Sequence, residues 1–192
     1  MTEAPERSTQ TEVLLASAVR VVADEGLGGL THSAVDRAAG LSEGSCAASF
    51  ETREALVLGL TGYVARQAAE NLGGLASELG ETALVDDKGI DAVSRALLRS
   101  VEQRDVLVTR FELSLQASRD PAVAASLSGH RRDLVDVLGG MLTSRGKPLS
   151  AAAAETLVAS FDGVMIGALP RPEAQRKAFV RRSVKALMAG LG

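Results

Sequence analysis

At 192 residues the chain holds one medium domain, or a small head on a larger body. A hydrophobic content of 46% excludes a largely disordered protein, and with aromatics at 3% and no tryptophan the core must be aliphatic. The formal net charge is −3, and a single cysteine excludes an internal disulfide.

No segment alternates as a strand does, whereas helical spacing recurs nearly throughout, so the expected fold is all-α with about nine helices. Thr9-x-x-Glu12 is a capping box that opens a first helix to about Glu25, ended by Gly26, Gly28 and Gly29. Thr31 can cap a second helix to about Ala39, with Gly40 supplying the permissive backbone a helix C-terminus needs. Ser42 stands where another N-cap belongs, and Glu43–Ser49 reads as a short third helix. Val35, Ala39, Leu41, Cys46 and Phe50 are spaced so that these two helices bury one shared face, which makes Cys46 a packed thiol. This is the sequence form of a helix-turn-helix, whose second helix lies in the major groove of DNA.

Thr52 caps a long helix carrying Leu56, Leu60, Val64, Ala68 and Leu72 to about Leu79. Gly80–Gly89, with Asp86 and Asp87, reads as a loop. Ile90, Val93, Leu97 and Val101 form a stripe at helical spacing, and Asp105 can cap the next helix, which ends near Arg119. Asp120-Pro121 is a strong start signal for a helix with Val123, Leu127, His130, Leu134, Val137 and Met141 on one face. Arg145-Gly146-Lys147-Pro148 ends it. Ser150 caps a helix through Leu169, Pro170-Arg171-Pro172 breaks it, and the last helix runs from about Glu173 to Ala189. The organisation expected is a three-helix head over residues 1–51 and a body over 52–192, with 52–79 as the connector helix.

The charge pattern of the head is unusual for its motif. Residues 1–60 contain nine acidic side chains against four basic ones (Arg7, Arg20, Arg37 and Arg53), a net charge of −5. Neutralising phosphates supplies most non-specific affinity, so such a head should bind DNA weakly and with a shallow salt slope. The reading segment offers serine and alanine and no bidentate arginine–guanine pair. Operator choice would then rest on backbone fit and DNA deformability. Two distant histidines and a lone cysteine at an apolar position provide no nucleophile–base pair. With no metal-spaced cluster and no glycine-rich phosphate loop either, no enzyme, metal or cofactor is expected. The N-terminus is polar and acidic (Glu3, Glu6), without a signal-peptide pattern. The longest apolar stretch, Leu157–Leu169, is interrupted by Asp162 and is shorter than the ~20 residues that span a bilayer. A cytoplasmic protein with no membrane partner is expected.

Leu30-Thr31, Ala39-Gly40-Leu41-Ser42, Gly44-Ser45, Phe50 and Thr52-Arg53-Glu54-Ala55-Leu56 together resemble the tetracycline-repressor-like (TetR) family of bacterial regulators, in detail over roughly residues 10–60. Arg110-Phe111-Glu112-Leu113 is similar to a phrase in members of the same family. The resemblance implies a homodimer that reads a double-stranded DNA operator with the head and senses a small molecule in the body. Thr31 and Ser42 match positions where helix N-termini meet phosphate, Ser45 a hydroxyl that touches DNA, and Arg53 a basic residue that grips the backbone. His32, Ser33, Glu43, Gly44, Ala47, Ala48 and Ser49 complete the candidate DNA face. The sequence departs from the family at Ala47, where a phosphate-binding tyrosine is frequent, at Ser49, often histidine or tyrosine, and at Asp36, usually alanine.

In the body, Leu97, Val101, Leu113, Leu134 and Val137 form a mainly aliphatic candidate pocket that suits an apolar or amphipathic effector, with Arg110 and His130 as its polar members. Gly163-x-x-x-Gly167 with Ala159 one turn earlier lets helices approach closely. With Phe161, Phe179, Val184, Leu187 and Leu191 it makes the candidate dimer interface. The resulting expectation is a ligand-responsive regulator, a repressor on a palindromic operator. The alternative is a dimeric small-molecule-binding or interaction protein whose degenerate head binds DNA weakly.

Overall fold

The computed structural model describes residues 3–79, 86–143 and 150–190. Among these residues it contains nine α-helices and no strand. They are α1 (Glu3–Glu25), α2 (His32–Ala39), α3 (Ser45–Ser49), α4 (Arg53–Leu79), α5 (Asp87–Glu102), α6 (Arg104–Ala117), α7 (Pro121–Thr143), α8 (Ala151–Ala168) and α9 (Glu173–Ala189). A 3₁₀ turn, Leu27–Gly29, separates α1 from α2. The all-α expectation and the helix count hold. The helix stop expected at Arg145–Pro148 and the interface candidate Leu191 lie outside the described residues.

Local chemistry explains most of the helix starts. The Thr31 hydroxyl accepts the Ala34 N–H at 3.2 Å, Thr52 accepts Ala55 N–H at 3.1 Å, and Ser150 accepts Ala153 N–H at 3.2 Å. Asp120 Oδ1 takes both the Ala122 and the Val123 N–H, leaving Pro121 at the first helical position where its missing N–H costs nothing. Four starts differ from expectation, that of α3 being one. α1 begins at Glu3, six residues before the capping box. Asp86, expected in a loop, is the N-cap of α5, its carboxylate accepting the Gly89 N–H at 2.7 Å. α6 begins at Arg104, so Asp105 lies inside its first turn, where a carboxylate favours the helix dipole without capping it.

The chain groups into two compact units. The first comprises residues 1–67 with 104–128, and the second residues 68–103 with 129–192. The head boundary expected at 51/52 falls inside the first unit. In that unit α1 is central, packed against α2 and α6. Leu14, Ala18 and Val22 of α1, Val35, Cys46, Leu56, Leu60, Val64 and Leu113 are all essentially solvent-free and form one aliphatic core. Thr109 on α6 is buried too, and it resolves its polarity by donating to Val19 O of α1 at 3.1 Å.

In the second unit α5 packs against α8 and α9, which also pack on each other. Ile90, Val93, Leu97, Val101, Leu157, Val164, Met165, Val180, Val184 and Met188 are buried there. α8 begins at Ala151, so its apolar span exceeds the Leu157–Leu169 stretch. By length and composition it is the one helix among the described residues long and apolar enough to cross a membrane. It buries Ala154, Leu157, Val164, Met165 and Ala168 within its own unit, and its Asp162 is ion-paired with Arg131 of α7 at 3.0 Å. Charged pairs also tie α5 to its neighbours. Glu78 on α4 meets Arg95 and Arg99, and the Arg95 hydrogen bond holds its carboxyl below the usual carboxylate range. Arg181 on α9 donates to Asp91 at 2.6 Å.

Candidate nucleic-acid interface

Helix α3 has five residues, too few to be stable alone, so its neighbours must hold it. It starts at Ser45, two residues later than the sequence suggests, and Ser42 is not its N-cap. That position is taken by Gly44 at φ +91°, a left-handed conformation that costs an L-residue about 1–2 kcal/mol. Gly40 ends α2 in the same region, at φ +67°. With no side chain at Gly44 to cap α3, the carboxylate of Asp36 does so from α2. Its Oδ2 accepts the Gly44 N–H at 2.8 Å and its Oδ1 the Cys46 N–H at 2.7 Å, with the residue 3% exposed. A charged acceptor on two backbone amides compensates the burial of the carboxylate.

The far end of α3 is fixed as well. His32 Nε2 lies 2.7 Å from Phe50 O, as donor in the tautomer that this pairing requires. The Phe50 ring lies against Gly59 of α4, where an added Cβ would fall 2.5 Å from its Cε1. Gly59→Ala should therefore destabilise the first unit by about 1 kcal/mol. Overpacking costs about 1–3 kcal/mol against the ~1 kcal/mol that alanine gains over glycine in a helix. Urea denaturation measures the balance, and a net gain would mean that the ring moves freely.

Cys46 points into the core, 0% exposed. Burial, with the Asp36 carboxylate adding to it, pushes its thiol up to about 11 from an ordinary 9.0. A raised thiol pKa means that the folded state holds the proton more tightly. The linked stability is complete below pH 9 and is lost as the pH rises towards about 11. Tm should be level through neutrality and fall above about pH 9, and Cys46→Ala should lack that alkaline decline.

The candidate DNA face can now be placed. Thr31, Ser33, Ser42, Glu43, Gly44, Ala47, Ala48, Ser49 and Arg53 are exposed, and Ser45 is half-buried. His32 is half-buried and turned onto Phe50 O. Arg53 is directed at its own chain, with Nε on Leu30 O at 3.1 Å and Nη2 on Leu27 O at 2.6 Å. Arg20 likewise donates to Ala38 O at 2.8 Å. Among the described side chains of the head, Arg37 is the cation without an intrachain partner, while Glu43, Glu51 and Glu54 are exposed and unpaired. Sequence reasoning missed these inward engagements, because each joins a side chain to a carbonyl 18 to 26 residues away. An acidic residue on the inner face of α2 together with a left-handed glycine before α3 is the signal that marks the Asp36 contact.

The body candidates fall in both units. In the second, Leu97 and Val101 are buried in the α5 core, Leu134 and His130 are half-buried, and Val137 is 47% exposed. In the first, Leu113 is 0% exposed within the aliphatic core, and the Arg110 guanidinium lies 5.0 Å from the Phe111 ring centroid. Of the candidate dimer residues, Ala159 and Gly163 are exposed and Phe161 and Leu187 half-buried, whereas Val184 is fully buried inside its own chain. Gly167 has an intrachain role. Phe179 packs on it, with Phe179 Cζ 3.1 Å from where a Cβ would be, and Arg171 stacks on the same ring at 3.7 Å while donating to Gly167 O. Among the described residues no group of three or more His, Cys, Asp or Glu could hold a metal ion.

An all-helical chain with a short, internally clamped helix-turn-helix ahead of a longer helical region defines the class of one-chain transcriptional regulators. The family described as tetracyclin repressor-like, C-terminal domain, matches residues 84–191, and the chain belongs to this tetracycline-repressor-like family. A transcriptional regulator from Rhodococcus sp. Rha1 is 20% identical, with 94% of this chain and 95% of that one covered at a TM-score of 0.77. A TetR-family member from Streptomyces coelicolor A3 is 26% identical, covering 95% and 98% at 0.65. The multidrug-binding protein EbrR, complexed with imidazole, is 25% identical, covering 95% and 90% at 0.63. No curated protein matches the chain.

Proposed function

We propose that the chain is a cytoplasmic, homodimeric repressor. In this reading residues 1–51 read a partly palindromic operator, and residues 52–192 bind a small apolar effector that releases the operator through the 52–79 connector. The observation that carries it is the face of α3. Ala47, Ala48 and Ser49 are presented to solvent, with half-buried Ser45 beside them, on a helix secured at both ends, in a chain of a regulator family. Small neutral side chains suit base edges and thymine methyls at close approach. The exposed small residues Ala159 and Gly163 on α8 support a helix–helix dimer contact. Likeness to a multidrug-binding protein complexed with imidazole supports a small organic effector.

A second reading has its own support. Arg20, Arg53 and His32 all face carbonyls of their own chain, which fits a head that binds DNA weakly and a protein that works through its body. Fluorescence anisotropy on DNA from upstream of its own gene, at two salt concentrations, tests both. Submicromolar binding that is lost on shuffling the sequence supports the repressor. Binding no tighter than micromolar for either duplex supports the second reading.

A further inference from the structure

We propose that His32 and Asp36 act together as a two-point clamp that sets the seating of α3, and that operator selectivity depends on this clamp rather than on contact of either residue with DNA. The inference rests on the repressor reading.

The two residues are four apart on α2, hence on one face of that helix and about 6 Å apart along its axis. The five residues of α3 span about 7.5 Å. Asp36 holds the N-terminal end through the amides of Gly44 and Cys46, and His32 holds the C-terminal end through the carbonyl of Phe50. One face of α2 therefore grips both ends of the reading helix, with buried Cys46 between them. Both partners on the α3 side are backbone atoms, so the clamp fixes the path of the chain.

The side chains that α3 exposes make this seating decisive. Serine and alanine extend at most one heavy atom beyond Cβ, so they reach a base edge when the α3 backbone itself is close to the groove floor. An arginine could bend to absorb a shift of an ångström, whereas these residues cannot. A small displacement of α3 should then erase base contacts while leaving the weak, sequence-independent attraction to phosphate as it was.

The test uses the full-length protein and two labelled duplexes of about 30 bp, long enough for two successive major-groove contacts, one from upstream of its own gene and one with that sequence shuffled. The readout is the ratio of the two affinities at fixed salt. Asp36→Asn places an amide N–H against a backbone N–H, and His32→Ala removes the donor to Phe50. Each should lower the ratio at least about tenfold, within the range set by loss of specific over non-specific binding, with shuffled-duplex affinity changed less than about twofold and far-UV circular dichroism unchanged. His32→Gln restores a donor and should regain most of the ratio. Variants with a lower Tm but an unchanged ratio would show a merely structural role and overturn the proposal. If Asp36→Asn does not fold, His32→Ala and His32→Gln still decide it. A wild-type protein that fails to distinguish the duplexes removes the repressor reading and this inference with it. Discrimination that survives both substitutions removes the clamp proposal alone.

Discussion

Leu113→Ala should destabilise the first unit by about 3–4 kcal/mol, the cost of lost transfer energy plus a cavity that an aliphatic core fills incompletely. Leu113 is 0% exposed, and it is the contribution of α6 to the core formed with Leu14, Val22, Val35, Leu56 and Leu60. Its aliphatic character also made it a natural candidate for an effector pocket. The two roles predict different magnitudes. A pocket wall already borders open volume, so truncating it adds little cavity and should cost less than about 1 kcal/mol, changing effector affinity instead. Chemical denaturation separates the cases through the midpoint, provided that the m-value stays constant. Val137→Ala is the useful control. At 47% exposure it should shift stability by no more than about 0.5 kcal/mol.

The second large effect concerns Arg53. The family resemblance places this residue on the DNA backbone, yet its guanidinium bonds to Leu30 O and Leu27 O, tying the start of α4 to the segment that leads into α2. Arg53→Glu would turn an acceptor-only carboxylate towards two carbonyl oxygens. The expected loss is about 1 kcal/mol of head stability, discounted for exposure from the 1.5–3 kcal/mol usual for hydrogen bonds to charged groups. It would also add negative charge to a head that already carries −5 over residues 1–60, so duplex affinity should fall more than about a hundredfold. Arg53→Ala distinguishes the roles. A residue that only bridges its own chain would lower Tm and affinity together, whereas one that grips phosphate would lower affinity and the salt slope while Tm holds. Thermal melts and anisotropy titrations on the same variants give both readouts.

The helix map was legible from the sequence wherever a helix end is decided by neighbouring residues. Thr31, Thr52, Asp120-Pro121 and Ser150 cap as their chemistry requires, since the acceptor and the orphan amide lie two or three residues apart. Glu173–Ala189 is bounded as expected, because Pro170-Arg171-Pro172 cannot continue a helix. α5 began early because Asp86 and Asp87 serve equally well in a loop or at an N-terminus, and composition does not choose between them. The start of α3 was illegible for a different reason. Its cap comes from Asp36 on another helix, eight residues from Gly44 and ten from Cys46, outside the two- or three-residue spacing by which an ordinary cap is read.

The sequence by itself determined an all-helical chain, a helix-turn-helix near its start and an acidic head, since these follow from periodicity, caps and side-chain type, and its head motif carried the resemblance to the family. Tertiary structure alone decided where the charged groups spend their hydrogen bonds. His32, Arg20 and Arg53 could each have faced DNA, and each instead faces a carbonyl of its own chain. Likewise Leu113 and Val184 could have lined a pocket or an interface, and each lies in the interior of its own unit. The physical reason is reach: a long side chain or a helix face has several partners available, and which one it meets depends on how distant segments pack.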